Sequence, residues 1–368
     1  MFVKEEIEEK KGKVRKLLDE FGLDGILVKR IANFAWLTGG GINYVGITTE
    51  MGICPILVTR DGDYVISNVI EAPRLRDEEL LEDQGYQQLA YSWYNDAGEA
   101  EAIAGVMKGG KLGSDYGFPG SRDVSGRLNE LRWSLSPWEV ERYRELGQKT
   151  ALAIEETCQT IRPGDKECAV TGRLLERLWA DRIDHITTFC AADDRIARYR
   201  HPIATERRID KRAMLCVNAR KLGLIISLTR FVQFGEVPAD LRRKYENNVR
   251  IDCILMANTI PGRPMVEAFE KGIQAYKDLG YDGEYELHHQ GGPIGYVGRE
   301  TRVHWGTKEL VYENQGYAWN PSITGSKSED VMLATKSGPE ILSPPVIFPK
   351  LELEVEGRAF VRPDILVL

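Results

Sequence analysis

The sequence predicts an α/β domain followed by an α+β domain. Its length of 368 residues suggests roughly two domains, at about 150 residues for each. In the first 130 residues or so, short apolar strands alternate with helical stretches, which is typical of an α/β domain. A capped helix then begins near Trp133 and precedes a β-rich region. We therefore expect one domain at residues 1–133 and a second at residues 134–368.

The elements of the first domain follow from apolar spacing and turn residues. An amphipathic helix is predicted from the helical spacing of Val14, Leu17, Leu18 and Phe21, and Gly22 should end it. A short buried strand follows at residues 25–28. Two more strands, at residues 54–58 and 64–67, flank the turn at residues 60–63, and helices are predicted at residues 71–82 and 95–107.

The second domain opens with a helix whose start is marked by three residues. Ser136 is a good N-cap, Pro137 suits the first helical position, and Glu139 has the spacing of a capping box. We expect this helix to run to about Ile161 and a second one to open at Asp165. The remaining predicted elements are β-structure at residues 215–234, a helix at residues 264–279 and final strands up to residue 368.

Composition excludes several classes of protein. A hydrophobic content of 42% and a charged content of 29% are ordinary for a globular chain with a sizeable core. The net charge of -7 argues against a nucleic-acid surface, and no apolar run approaches the roughly 18 residues that span a bilayer. The six cysteines form no Cys-x-x-Cys pair, which indicates reduced thiols and a cytoplasmic location instead of disulfides or a zinc site.

Four segments of the C-terminal half occur in the order of a known motif series. They are Cys216–Arg230, His288–Gly295, Ala318–Pro321 and Ser328–Asp330. This order resembles the pita-bread family, which includes methionine aminopeptidase, Xaa-Pro aminopeptidase, prolidase and creatinase. The resemblance covers most of residues 135–368 closely and the first 130 loosely. It implies a creatinase-like α/β N-terminal domain followed by an α+β pita-bread C-terminal domain.

The same resemblance exposes a departure from the peptidase branch. Those relatives hold two metal ions with two aspartates, one histidine and two glutamates. At the matching positions this chain has Cys216, Ser227, Gly292 and Asn320, and only Glu329 is kept. One carboxylate cannot neutralise two divalent cations, which prefer oxygen-rich anionic sites. We therefore expect no metal and no other cofactor.

His201 is the leading catalytic candidate. It precedes the strand that carries Cys216, at a position where the family has a histidine facing the cleft. In creatinase, which also lacks the metal, that histidine is the general acid/base. An imidazole takes up and returns a proton near neutral pH. Glu329, the one inherited carboxylate, is assigned to the same site.

Arg299 is the main candidate for substrate binding, because creatinase uses an arginine of a Gly-Arg-Glu triplet to bind the substrate carboxylate. A structural salt bridge is the open alternative for this side chain. His288 and His289 are adjacent, so on a strand their rings would point to opposite faces and only one would face the cleft. The substrate-binding candidates of the C-terminal domain are Arg198, Ser227, His288, His289, Arg299, His304 and Asn320.

The N-terminal domain contributes a candidate loop. The stretch Phe34–Gly41 resembles the family's Tyr-Leu-Thr-Gly loop. In creatinase-like relatives the N-terminal domain of one subunit reaches over the cleft of the other, and the loop that corresponds to Trp36–Tyr44 contributes to the pocket. Trp36 and Tyr44 are therefore assigned to substrate binding, and the chain is expected to be a homodimer with no nucleic-acid or membrane partner.

Together these features predict a metal-independent, creatinase-like hydrolase that cleaves a C–N bond in a small carboxylate-bearing substrate, with His201 as general acid/base. Elimination or another proton transfer would use the same residues. One alternative is a non-catalytic pita-bread binding protein. Another is a metal-dependent Xaa-Pro peptidase, which requires a different alignment of the ligands.

Overall fold

The structure is a computed structural model that describes residues 2–368. It divides into two compact units, residues 2–132 and Trp133–Leu368. Among the helices formed by the described residues, none combines the length and the apolar character needed to span a bilayer.

The N-terminal unit is built around one mixed sheet. Its helices are α1 (Lys4–Phe21), α2 (Ile31–Leu37), α3 (Ala72–Asp77), α4 (Gly98–Met107) and α5 (Ser125–Glu130). Its strands are β1 (Gly25–Arg30), β2 (Met51–Thr59), β3 (Asp63–Asn68), β4 (Gln87–Tyr91), β5 (Leu112–Ser114) and β6 (Arg122–Asp123). The strand order is β4-β3-β2-β1-β5-β6, with β1–β2 and β2–β3 antiparallel and the other pairs parallel. The α/β prediction for this part of the chain is confirmed.

Local signals fix most of these elements. Helix α1 ends as predicted at Gly22, whose φ of 63° lies in the left-handed region that glycine tolerates. The helix predicted at residues 71–82 is wrong in length, because α3 stops at Asp77. Leu80 there adopts a φ of 55°, and the Leu81 N–H donates to the Leu75 carbonyl instead of continuing the helix.

The C-terminal unit combines helices with antiparallel sheets. Its helices are α6 (Pro137–Gln159), α7 (Glu167–Ala180), α8 (Arg195–Arg198), α9 (Ala239–Ala257) and α10 (Met265–Asp278), with a 3-10 helix at Glu284–Leu287. Its longer strands are β7 (Asp184–Ala192), β8 (Arg212–Lys221), β9 (Leu224–Gln233), β10 (Gly291–Ile294), β11 (Gln315–Trp319), β14 (Asp330–Thr335), β15 (Gly338–Ile341), β16 (Lys350–Val355) and β17 (Arg358–Pro363). The short strands are β12 (Ser322–Ile323), β13 (Ser326–Lys327) and β18 (Leu366–Val367).

Helix α6 begins as its sequence predicts. The Glu139 N–H donates to the Ser136 hydroxyl, and the Ser136 N–H donates to the Glu139 carboxylate, so both halves of the capping box are present. Helix α7 starts at Glu167, two residues later than expected. Asp165 instead holds the preceding turn, since its carboxylate accepts from the Arg162 N–H at 2.9 Å and from Arg173 at 2.6 Å.

Two four-stranded sheets carry the core of this unit, in the orders β18-β9-β8-β7 and β10-β11-β14-β15. Every residue of β9 is buried. The two sheets are tied together at Thr229 of β9, whose N–H donates to the Glu329 carbonyl at 3.0 Å. This link brings the middle of β9 next to the residue that precedes β14.

Candidate active site

Glu329 lies at the centre of a buried charge cluster. It is only 4% exposed, and its carboxylate accepts from Lys327 Nζ at 2.6 Å and from Arg299 Nη2 at 3.0 Å. The Thr229 hydroxyl donates to it at 3.2 Å. Burial by itself raises the pKa of Glu329, but Lys327 and Arg299 outweigh burial and bring that pKa down to about 2. The group is therefore an ionised carboxylate held between two cations.

This arrangement predicts a loss of stability in acid. A carboxyl whose folded pKa is depressed stabilises the fold above its unfolded pKa near 4.5. That stabilisation, about 3 kcal/mol, should be lost as pH falls from 4.5 towards 2. Urea unfolding of the parent chain and Glu329→Gln measures it: their difference in unfolding free energy should be largest at neutral pH and shrink in acid. A difference independent of pH would contradict the assignment.

The other positions aligned with the family's metal ligands carry no anion. Cys216 and Ser227 are buried on β8 and β9, and the Ser227 hydroxyl has no hydrogen-bond partner among residues 2–368. Asn320 is buried too, and its Oδ1 is unpartnered in that same range. Lys327 Nζ lies 3.9 Å from Cys216 Sγ, so an ammonium group stands between that residue and Glu329. Burial disfavours the charge of Lys327, but the Glu329 carboxylate helps to raise its pKa above the usual value. Burial also raises the pKa of Cys216, which keeps its thiol neutral. These residues do not fit a centre for two divalent cations.

Backbone packing at Gly292 is a second reason why these residues do not fit a two-metal centre. A Cβ atom at this position would lie 2.5 Å from the Thr301 carbonyl oxygen and 3.0 Å from Val303 Cγ2, and the φ of Gly292 is +147°. The neighbouring segment is fixed there by two hydrogen bonds, from Glu300 N to Pro293 O at 2.9 Å and from Val303 N to Gly291 O at 3.0 Å. A histidine at residue 292 has no room for its side chain.

We therefore expect Gly292→Ala to destabilise the C-terminal unit by about 1–3 kcal/mol, through overpacking and backbone strain. Gly298→Ala is the matched control, because the nearest atom to its Cβ would be Asn218 Nδ2 at 3.8 Å. Chemical unfolding compares the two variants. Equal stability of Gly292→Ala and the parent chain would show that the Thr301 backbone moves aside easily.

A cluster of three histidines stands beside this charge cluster. The Nε2 atoms of His201 and His288 are 3.2 Å apart, and the ligand atoms of His201, His288 and His289 all lie within 4.8 Å of one another. The ring centroids of His288 and His289 are 4.5 Å apart. The prediction that these two rings point to opposite faces is wrong. Both residues precede β10, which begins at Gly291, so the alternation of a regular strand does not apply to them.

Polar contacts fix the two chain segments that carry the cluster. Arg200 Nη2 donates to Glu284 Oε2 at 2.7 Å and to the Thr324 hydroxyl at 2.9 Å, which ties the His201 loop to the 3-10 helix. Gln290 Nε2 donates to the His288 carbonyl at 2.7 Å. The histidines are therefore held by neighbours on both sides, and not presented on a free loop.

The environment keeps the three rings neutral. Burial is the main cause, and it lowers the pKa of His288 to about 2 and that of His289 to about 4. Lys327 lowers the pKa of His288 further, and Arg299 lowers that of His289 further. The pKa of His201 is lowered as well, first by the partial burial of its ring and then by Lys327. Uncharged imidazoles with free lone pairs act as bases or as ligands.

Comparison with known proteins identifies the fold of the chain that carries this site. No protein-family model matches the sequence, and neither does any curated protein. Solved structures do match. The Xaa-Pro dipeptidase from Bacillus anthracis is 19% identical, with a TM-score of 0.77 over 98% of this chain and 100% of that one. The dipeptidase PepE from Mycobacterium ulcerans is 15% identical, with a TM-score of 0.79 over 100% of this chain and 99% of that one. The chain has the pita-bread fold. This confirms the predicted fold class.

The pita-bread fold is not confined to structures of peptidases. The N-terminal domain of the FACT complex subunit SPT16 from Cicer arietinum is 12% identical, with a TM-score of 0.71 over 94% of this chain and 98% of that one. All of these identities are low. The likeness therefore establishes the pita-bread fold, and the chemistry of the site has to be argued from its own residues.

The remaining predicted site residues have other surroundings. Arg198 is largely exposed and pairs with Asp194 at 2.9 Å. His304 is exposed, and its Nδ1 accepts from the Gly306 N–H at 3.0 Å. In the N-terminal unit Trp36 is 1% exposed, which disfavours contact between its ring and a ligand, while Tyr44 is half-buried. Their roles in substrate binding stay predictions.

Sequence reasoning missed Lys327. It lies two residues before Glu329, and residues i and i+2 of an extended segment share a face. This spacing was the available signal that a lysine would meet the inherited glutamate.

Proposed function

We propose that this chain is a hydrolase that cleaves a C–N bond in a small carboxylate-bearing substrate, and that it does so without the two-metal centre of the peptidases. The observation that carries the proposal is the pairing of a charge-compensated Glu329 with an adjacent cluster of neutral histidines. The pita-bread fold of the Xaa-Pro dipeptidase from Bacillus anthracis supports C–N hydrolysis as the reaction class.

The charge balance of the site favours an anionic substrate. Lys327 and Arg299 contribute two positive charges, and Glu329 contributes one negative charge, all within 3.0 Å contacts. A site with this excess of positive charge attracts a carboxylate, for which the arginine fork is a good hydrogen-bonding partner. Lys327 joins Arg299 as a candidate for this role.

His201 is proposed as the general acid/base. It is exposed at the cluster, whereas His288 is buried behind it. His201 would take a proton from the attacking water as the new C–O bond forms, and return it to the leaving nitrogen as the C–N bond breaks. The 3.2 Å contact with His288 orients the His201 ring during both transfers.

The site opposes one of the two alternative functions and does not account for the other. A metal-dependent Xaa-Pro peptidase conflicts with Lys327 and with the packing at Gly292. A non-catalytic binding protein has some support in the likeness to the SPT16 domain. It leaves unexplained why neutral histidines and a compensated carboxylate are brought together.

The test is an activity screen of chelator-treated protein. Creatine, N-acyl amino acids and Xaa-Pro dipeptides are incubated with the chain, and the released amine is measured by mass spectrometry. Turnover of a carboxylate-bearing compound that withstands chelator supports the proposal. Turnover that requires added Mn²⁺ or Co²⁺ would favour the peptidase alternative, and a lack of turnover across the panel would favour the binding protein.

A further inference from the structure

The three-histidine cluster has the composition of a transition-metal site that differs from the family's carboxylate centre. The chain contains five histidines, and three of them have ligand atoms within 4.8 Å of one another. No other group of three or more such side chains is found within residues 2–368. We propose that His201, His288 and His289 form a binding site for one divalent transition-metal ion such as Zn²⁺.

The geometry of the cluster fits such an ion. Two imidazole nitrogens bound tetrahedrally to zinc at about 2.0–2.1 Å lie roughly 3.3 Å apart. The Nε2 atoms of His201 and His288 are separated by 3.2 Å. The third nitrogen, from His289, is within 4.8 Å of both. A three-histidine set leaves a fourth position for water or substrate.

Two buried ring nitrogens of the cluster lack a hydrogen-bond partner within residues 2–368. His288 is 8% exposed, and its Nδ1 has no hydrogen-bond partner among the described residues. His289 Nδ1 is in the same condition. Buried polar groups are satisfied in most proteins. An ion at His288 Nε2 does not provide a partner for His288 Nδ1, so of these two atoms only His289 Nδ1 could gain its partner from the same ion. Metal coordination needs neutral imidazole, and the low pKa values of both rings supply it.

The surrounding charges set the strength of binding. Lys327, Arg299 and Arg302 act on the cluster as cations, and Glu329 acts as the one anion. The cations repel a dication, so binding should be weaker than in a site backed by carboxylates. The histidines thus suit an exchangeable ion more than a permanently held one.

The site has a consequence for hydrolysis, which rests on the proposed function. An ion at Nε2 of His201 requires the neutral ring with its proton on Nδ1, so no lone pair is left for a general base. Zn²⁺ should then inhibit turnover at the concentrations at which it binds. The sequence-based expectation of no metal rested on the loss of the family's carboxylate ligands, and the proposed histidine site is separate from that centre.

Calorimetric titration of Zn²⁺ into tag-free, chelator-treated protein tests the site without any substrate. We expect one ion per chain. Affinity should fall by at least 10–100-fold in His288→Gln and in His201→Ala, since even partners of ligands have effects of that size. The control His185→Gln/His304→Gln removes both histidines outside the cluster and should bind as the parent does. Co²⁺ should give visible d–d bands that the same variants lose.

Three results would overturn the proposal: no binding by the parent chain, unchanged binding by the cluster variants, or loss of binding in the control. The first of these means that His201 and His288 only share a hydrogen bond. If His288→Gln does not fold, His201→Ala decides, because His201 is exposed. If the chain binds zinc but hydrolyses no compound of the panel when it is zinc-free, only the proposed function is overturned.

Discussion

Arg230→Met is expected to lower the unfolding free energy of the C-terminal unit by about 3–5 kcal/mol. Arg230 and Glu155 are both 0% exposed, and Arg230 Nε donates to Glu155 Oε1 at 3.0 Å. Arg230 Nη1 donates to Asp330 Oδ1 at 2.9 Å. Removing the guanidinium leaves two buried carboxylates with less compensation, and this costs more than the intact pair contributes.

The network around Arg230 also supports the candidate site. Asp330 accepts from Arg362 Nη2 at 2.9 Å, so one carboxylate joins two buried arginines. Arg230 and Asp330 are the chain neighbours of Thr229 and Glu329. Because neighbouring residues of extended strands face opposite sides, the network anchors one face and leaves the other to the site.

Urea unfolding followed by fluorescence measures the effect of Arg230→Met. Arg263→Met is the control: its ion pair with Glu267 is 60% and 39% exposed, and such pairs contribute about 0–1 kcal/mol. Failure of Arg230→Met to fold agrees with the expectation. A loss no larger than that of the control would mean that water or side-chain rearrangement compensates the carboxylates.

How far the sequence predicts this protein depends on whether a feature is local. Gly22, Ser136 and Glu139 act on their own helix ends, and the structure has those ends where their chemistry requires. The pita-bread arrangement came from the order of motifs. Helix α3 was predicted too long, because the left-handed turn at Leu80 depends on packing that no local pattern reveals.

The candidate site also combines features that the local sequence predicts with features that depend on distant contacts. Glu329 was found by its motif. Lys327 and Glu329 can pair because residues two positions apart in an extended segment share a face. The sequence shows this spacing, but it does not show that the two side chains meet. The contact of His201 with His288 spans 87 positions, and the Arg200–Glu284 ion pair holds the His201 loop to the 3-10 helix that precedes His288. Contacts of this kind arise only when the sheets have assembled.

His201→Ala is expected to reduce turnover of the hydrolysed substrate by about 10²–10⁴-fold, the usual effect of losing a general acid/base. His201 is exposed, but its loss leaves Nε2 of the buried His288 without its 3.2 Å partner, so the unfolding free energy should fall by about 1–3 kcal/mol, less than the roughly 5–15 kcal/mol of a folded domain. The lost activity is then a chemical effect and not a consequence of unfolding. Initial rates and thermal unfolding of the same preparation measure both quantities.

Rescue experiments distinguish proton transfer from a structural role. Free imidazole should restore part of the activity of His201→Ala, because it can enter the vacated position and transfer the same proton. It should not rescue Arg200→Gln, which disturbs the ion pair of 2.7 Å that holds the loop while leaving the imidazole in place. His185→Gln, on β7, should keep the parent rate. Full activity of His201→Ala without imidazole would remove His201 from the mechanism and leave Glu329 and its two cations as the remaining reactive groups.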